Sequence, residues 1–359
     1  DGFILIRTGA GNDTVGLAVD TGLHVDIATG AGNDRVGVLG TDVGTHLFIR
    51  TEAGADEVAV LDSFVGTTLL IDLGNGFDAA LVQTVDADQI TANGGRDADD
   101  IGLFDIAAQN HIIVTGGHGS DRLEVEFAEA NYMQLNGGDG HDELDADGND
   151  VFGTLHLIGG GGNDSIEVEP NDDYLEEGDA ITFVEGAIII DGGAGNDSLE
   201  AELTESNSLT IIGGAGNDEI DADGVDVHGP VVIVAAAGHD SVDVGTSDDE
   251  EFEPGISSDI DGFLHVILGA GNDEAFIIDV FVGQHVLLDA GAGNDTAEIS
   301  AVAADSFILA LMGAGSDDLT YLDNTADREE LDGGPGFDEL LIDFTNGRRI
   351  RNFESVVID

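Results

Sequence analysis

Aspartate recurs at one fixed place in this sequence, directly after a glycine turn. Seven copies of Gly-x-Gly-Asn-Asp end at Asp13, Asp34, Asp164, Asp197, Asp218, Asp273 and Asp295. Five more turns keep both glycines and end at Asp78, Asp121, Asp142, Asp317 and Asp338, and three degenerate ones end at Asp56, Asp99 and Asp240. Successive aspartates are 21 or 22 residues apart, except for two steps of 33. Such a turn can do one kind of chemistry well. Glycine admits positive φ, so backbone carbonyls can be aimed at one point. A carboxylate beside them completes an oxygen site for Ca²⁺, which takes about six to eight oxygens in a tolerant geometry. The twelve aspartates that follow two glycines are the expected ligands.

The residues between the turns must position them. Two and four places after each Asp the residue is usually apolar, as in Val58 and Val60 or Leu199 and Ala201. Nine and seven places before it the same holds, as in Val25 and Ile27 or Ile188 and Ile190. Period two on both sides predicts two strands per coil, each with one buried face. A single coil cannot bury that face alone, so coils must stack. The expected fold is all-β: a parallel β-roll or β-helix solenoid of about 15 coils, stacked at roughly 4.8 Å and about 70 Å long. Stacked turns let one ion serve two coils. Fifteen turns then offer at most 14 inter-coil calcium sites, which would bring the net charge of −66 to −38.

Charge and composition limit the partners. The 359 residues carry 75 Asp and Glu against nine Arg and no Lys. A chain this acidic lacks the basic footprint for nucleic acid. It will not settle on an anionic membrane, and no apolar run approaches the roughly 18–20 residues of a spanning helix. The 42% apolar content argues against a disordered acidic tail. With no Cys, disulfides are excluded and something else must stiffen the chain. Bound cations or a very salty medium would relieve the self-repulsion. Salt alone does not explain aspartates at a fixed coil position.

The turns carry a resemblance. Gly193-Ala194-Gly195-Asn196-Asp197-Ser198-Leu199-Glu200 resembles the Gly-Gly-x-Gly-x-Asp-x-apolar-x nonapeptide of repeats-in-toxin (haemolysin-type) calcium-binding proteins. Gly159 to Glu167, Gly213 to Asp221 and Gly333 to Leu341 are similar, and the resemblance covers almost the whole chain. The usual roll has a glycine turn at both ends of a coil of about 18 residues. Here the coil has about 22 residues and one glycine turn. The resemblance therefore implies one calcium row. It also implies a secreted bacterial protein, exported unfolded through a one-step channel and folded by external calcium. A structural or adhesive role follows, in an adhesin, a surface layer or a matrix.

Other features have plainer readings. The two long steps place insertions near 171–182 and 247–258, expected to be solvated loops. The position eight before each Asp should face outward, yet it holds Leu5, Phe48, Leu70, Ile113, Ile189, Val232, Leu287 and Leu309. Such a row suggests a covering layer, self-association or a cell-surface or matrix partner. His24, His46, His111 and His285 share a place ten before the Asp, in a row broken by Thr68, Gln89 and Tyr132. No nucleophile elbow or zinc-helix motif is present, so no enzyme is expected. A polysaccharide-acting β-helix enzyme would need a cation cluster that the scattered arginines do not form. An ice-binding or ligand-binding adhesin module is the main alternative. Against ice binding, the place three before the Asp is mostly Ala, as at Ala10, Ala31 and Ala215, where a Thr row would be needed. The chain begins inside a coil, which suggests a piece of a larger protein or a unit that stacks end to end. Residues 1–345 read as one repeat solenoid. Residues 346–359, with Arg348, Arg349 and Arg351, read as a closing cap whose cations offset nearby acid.

Overall fold

The structure, a computed structural model, describes residues 3–18, 20–170, 181–245, 257–343 and 348–358. Most of the two insertions (171–180 and 246–256) and the start of the expected cap (344–347) lie outside the described residues. Two compact units are present, Asp1–Gly186 and Ala187–Asp359. Each is an all-β parallel solenoid, with eight repeat aspartates in the first and seven in the second. Among the described residues there is no helix, and so none long and apolar enough to cross a membrane.

Coils stack so that equivalent residues lie side by side. In the first unit Arg35–Leu39 runs parallel to Thr14–Leu17 and to the start of Glu57–Asn75, with Val36 beside both Val15 and Val58. In the second unit Glu219–Asp223 lies between Ser198–Glu202 and Ser241–Gly245. The period-two alternation holds. Val36, Val38, Val58, Val60, Leu199, Ala201, Ile220 and Ala222 are buried. The outward apolar row is half-buried at Phe48, Leu70 and Ile113 in the first unit, and at Ile189, Val232, Leu287 and Leu309 in the second. Leu5 is exposed.

Several coils among the described residues add a third short strand to the two expected. Asp42–Val43 in the first unit is one, and Asp226–Val227, Ser258–Ile260, Val280–Val282 and Ala303–Ala304 in the second are others. It follows a sharp corner opposite the glycine turn. The residue six after the Asp often takes a left-handed φ, and its type varies: 49° at Asp62, 52° at Phe127, 46° at Leu203 and 54° at Ala301. That costs about 1–2 kcal/mol per non-glycine residue, which the packing of the next residue offsets.

That next residue points inward and is often neutral and polar. In the first unit Ser63 Oγ accepts the Thr41 N–H at 3.2 Å. Asn149 Oδ1 accepts the Ala128 N–H at 2.8 Å, and its Nδ2 donates to the Val125 carbonyl at 2.8 Å. In the second unit Ser258, at the start of its own short strand beyond the insertion, plays the same part: its Oγ accepts the Val225 N–H at 3.2 Å. Asn324 repeats the Asn149 pattern, accepting from Val302 at 2.9 Å and donating to Ile299 at 2.6 Å.

At the C-terminal end, Arg349–Arg351 pairs with Arg328–Asp332, and Ser355–Ile358 pairs with Glu339–Ile342. Arg348 is buried there. It bonds Asp343 Oδ1 at 2.6 Å and Glu329, and its guanidinium lies 4.8 Å from the Tyr321 ring centre. Arg349 and Arg351 reach Glu330 at 3.5 and 2.9 Å.

Candidate functional site

The glycine turns set how closely neighbouring coils approach. Gly30 and Gly32 have φ of 101° and 132°. A Cβ on Gly30 would stand 2.1 Å from the Gly9 carbonyl oxygen, so no side chain fits there. The turn is tied to the next by backbone, with the Gly32 N–H donating to the Ala53 carbonyl at 2.7 Å.

On this frame the repeat aspartates form a ladder. In the first unit the Asp13 N–H donates to Asp34 Oδ1. The same bond then runs from Asp34 to Asp56, Asp56 to Asp78, Asp78 to Asp99, Asp99 to Asp121, Asp121 to Asp142 and Asp142 to Asp164, all at 2.7–2.9 Å. In the second unit it runs through Asp197, Asp218, Asp240, Asp273, Asp295, Asp317 and Asp338 at 2.9–3.1 Å. Asp13 is half-buried, and the other eleven expected residues are no more than 3% exposed.

The three degenerate turns are placed equally well. Asp56, Asp99 and Asp240 are also buried and sit in the same ladder. Glu52, Asp97 and Ala236 adopt φ of 75°, 72° and 86° where glycine stands elsewhere. The 21- or 22-residue spacing, which these three share with the other twelve, is therefore a fuller guide to the ladder than the pair of glycines. Glu354 also carried no signal. Its Oε2 accepts the Asp338 N–H at 2.9 Å and so supplies the rung that no further glycine turn provides.

Each rung uses one carboxylate oxygen. At twelve of these aspartates the other is stranded. In the first unit Oδ2 of Asp34, Asp56, Asp78, Asp99, Asp121 and Asp142 is buried with no hydrogen-bond partner. In the second the same holds for Asp218, Asp240, Asp273, Asp295, Asp317 and Asp338. A small side-chain-free space adjoins these atoms. A Cβ built on Gly94 would lie 2.5 Å from Asp99 Oδ2 and 2.7 Å from the Gly116 carbonyl oxygen. One on Gly213 would lie 2.6 Å from Asp218 Oδ2 and 2.9 Å from the Ala235 carbonyl oxygen. Carboxylate and neighbouring-coil carbonyl oxygens therefore border one space, and the donor set is oxygen only. This fits a hard cation such as Ca²⁺.

The electrostatics agree. Burial, only partly offset by the backbone N–H bond, pushes Asp78, Asp142, Asp164, Asp240 and Asp295 up to about 6, and Asp99 to about 7. Asp56, Asp121, Asp218, Asp273, Asp317 and Asp338 shift the same way for the same reason. Among the described residues the ion pairs that arginines make are with other carboxylates, not with this ladder.

The preceding asparagines form a second, exposed ladder running the opposite way. Asn12 Oδ1 accepts the Asn33 N–H at 3.0 Å in the first unit, and Asn272 Oδ1 accepts the Asn294 N–H at 2.8 Å in the second. Where Asn precedes Asp, as at Asn33-Asp34 and Asn272-Asp273, the pair clips the turn to both neighbours. The histidines stack with rings rather than forming one row. In the second unit His285 lies between Phe263 and Phe307, and its Nε2 is 2.9 Å from His265 Nε2.

No family model matches the chain. No curated protein matches it either. Among solved structures it is similar to a hyperactive, Ca²⁺-dependent, β-helical antifreeze protein from an Antarctic bacterium. The two are 21% identical, with a TM-score of 0.47, over 94% of this chain and 85% of that one.

Proposed function

We propose that this protein is a calcium-folded structural solenoid of the repeats-in-toxin kind, working outside the cell as a stiff adhesive or matrix element. One observation carries the reading. In coil after coil, a buried carboxylate keeps an unpartnered oxygen beside a backbone carbonyl of the next coil. Burying ionised carboxylates without counter-charge costs several kcal/mol each. The folded form therefore needs protons or cations at this edge. The twelve aspartates after paired glycines, with Asp56, Asp99 and Asp240, would hold the ions, and bound calcium would supply positive charge between coils. The chain's own part is to set the spacing, aim the oxygens and exclude side chains from the space. Because only the folded form assembles these sites, calcium stabilises it by mass action. Low calcium inside a cell would leave the chain unfolded, and millimolar calcium outside would fold it. No step of catalysis is assigned.

The test is far-UV circular dichroism during a calcium titration of chelated protein, with sodium chloride at matched ionic strength as control. A cooperative rise in β signal with calcium but not sodium is expected. A β signal indifferent to chelation would defeat the reading.

Ice binding at the same edge is the second reading, and the exposed asparagine ladder is what favours it. The hydrogen bonds along it hold side chains at regular intervals. The alanines beside it supply no hydroxyl row. Thermal hysteresis in calcium-loaded protein separates the two readings.

A further inference from the structure

We propose that the ladder binds calcium at two strengths, and that the residue five before each Asp decides which. Binding is tight where that residue is glycine and weak where a side chain stands there. The inference rests on the calcium reading above and refines it. In seven of the fifteen coils the residue is Gly, and in the others it is Thr, Ala, Leu or Met. Stacking keeps the position in register. Asp72 pairs with Asn93 and Gly74 with Gly95, so Leu73 stands beside Gly94. The same register carries on to Gly116 through Asn93 with Thr115 and Gly95 with Gly117.

In the glycine coils this position is open. A Cβ on Gly94 would fall 2.5 Å from Asp99 Oδ2 and 2.7 Å from the Gly116 carbonyl oxygen. In the second unit one on Gly192 would fall 2.7 Å from Asp197 Oδ2 and 2.8 Å from the Gly213 carbonyl oxygen. Any side chain here therefore enters the space an ion needs.

The first three coils show what such a side chain does. Thr8 Oγ1 donates to the Thr29 carbonyl at 2.9 Å, Thr29 Oγ1 to the Thr51 carbonyl at 3.4 Å, and Thr51 Oγ1 to the Leu73 carbonyl at 2.7 Å. These carbonyls hold the place that the Gly116 carbonyl holds in an open coil. Burial pushes the Asp56 carboxyl up, while the Asp34 backbone N–H and the nearby Thr51 hydroxyl draw it back. The hydroxyl thus stands between the same two groups that border the open space, and a cation there must break its bond. In other coils the occupant is apolar. Leu73, Leu268 and Met312 are fully buried, on the coils of Asp78, Asp273 and Asp317. Calcium takes about six to eight oxygens, and its affinity follows the ligand set. An aliphatic chain supplies no oxygen and excludes the water that would complete the shell. At those rungs a proton, which needs no such shell, is the counter-charge that fits.

The test uses crystals of the full chain grown in calcium, so that the lattice holds the fold, then soaked at stepwise lower free calcium. Anomalous-difference peak heights read each rung separately. Peaks beside Asp99, Asp121 and Asp218 should persist to a free calcium at least about tenfold lower than peaks beside Asp56, Asp78 and Asp317. Thr51→Gly should make the Asp56 peak last as long as that of Asp99, and Thr51→Ser, which keeps the hydroxyl, should match wild type. If Thr51→Gly fails to fold, the wild-type order still decides. Peaks that fade together, or an Asp56 peak unmoved in Thr51→Gly, would overturn the two strengths and leave the calcium reading standing. No peak at any rung before soaking would overturn both.

Discussion

The two corners of each coil both bury polar side chains, but the glycine corner buries charge and the opposite corner buries amides and hydroxyls. At the opposite corner Asn149 and Asn324 each accept one backbone N–H and donate to one carbonyl. Donors and acceptors balance at these two residues, so each closes on itself and needs nothing from solution. At the glycine corner aspartates such as Asp99, Asp121, Asp273 and Asp295 accept one N–H and leave Oδ2 without a donor. A neutral ladder would have held the turns together just as well. The charged one makes sense where a cation or a proton completes it. The corner that leaves charged oxygens unpaired is the one where the proposed ions would act.

The largest expected effect is collective and depends on pH. Asp78, Asp142, Asp164, Asp240 and Asp295 sit near 6 and Asp99 near 7 when folded, above the roughly 3.9 of an unfolded Asp. The sign follows from linkage. Raised carboxyl groups stabilise the fold fully below about pH 4, and that stability is lost as pH rises through 6 to 7. Chelated protein should be folded near pH 5 and unfold toward pH 8, while calcium-loaded protein stays folded at pH 8. Calcium affinity should weaken as pH falls below about 7, because protons compete for the same oxygens. Circular dichroism across pH with and without chelator checks this. The neutral corner predicts no such dependence.

Next in size is Gly160→Ala. Its φ is 110°, and a Cβ would lie 2.1 Å from the Gly138 carbonyl oxygen. Strain and overpacking together should cost about 2–6 kcal/mol, read by denaturant melts in calcium. Asn149→Ala should cost about 2–4 kcal/mol by leaving the Ala128 N–H and the Val125 carbonyl unpaired. Because that corner is neutral, the loss should be the same in calcium and in chelator at pH 5. Asp121→Asn should change sign between those conditions. It removes a buried charge, so it should stabilise the chelated protein above pH 7 by about 1 kcal/mol or more, and destabilise the calcium form by a similar amount. The smallest effect is Ala301→Gly at the opposite corner. Glycine relaxes the left-handed φ of 54° and should add about 0.5–1 kcal/mol.

The sequence made the glycine corner easy to read because its geometry restricts residue type. Positive φ and close backbone approach both call for glycine, and the ladder calls for Asp, so the pattern repeats visibly. The strand alternation at Val36 and Val38 or Ile220 and Ala222 was legible for the same reason. The opposite corner was not. Its left-handed position admits Asp62, Phe127, Leu203 and Ala301 alike, since packing rather than residue type holds it. The third strand that follows was hidden with it. Asp56, Asp99 and Asp240 were set aside because one glycine was missing, although Glu52, Asp97 and Ala236 take up the same backbone shape. Glu354 was missed because a longer side chain reaches the rung from a segment with no turn motif.

The most direct test of the central claim is an anomalous-difference map from crystals grown in calcium, collected at a wavelength where calcium scatters anomalously. The account predicts a row of peaks beside Oδ2 of the ladder aspartates, next to carbonyls such as those of Gly116 and Ala235. It predicts none at the Asn149 and Asn324 corner. A map with no density beside those carboxylates, from a protein that is nonetheless folded at pH 8, would contradict it.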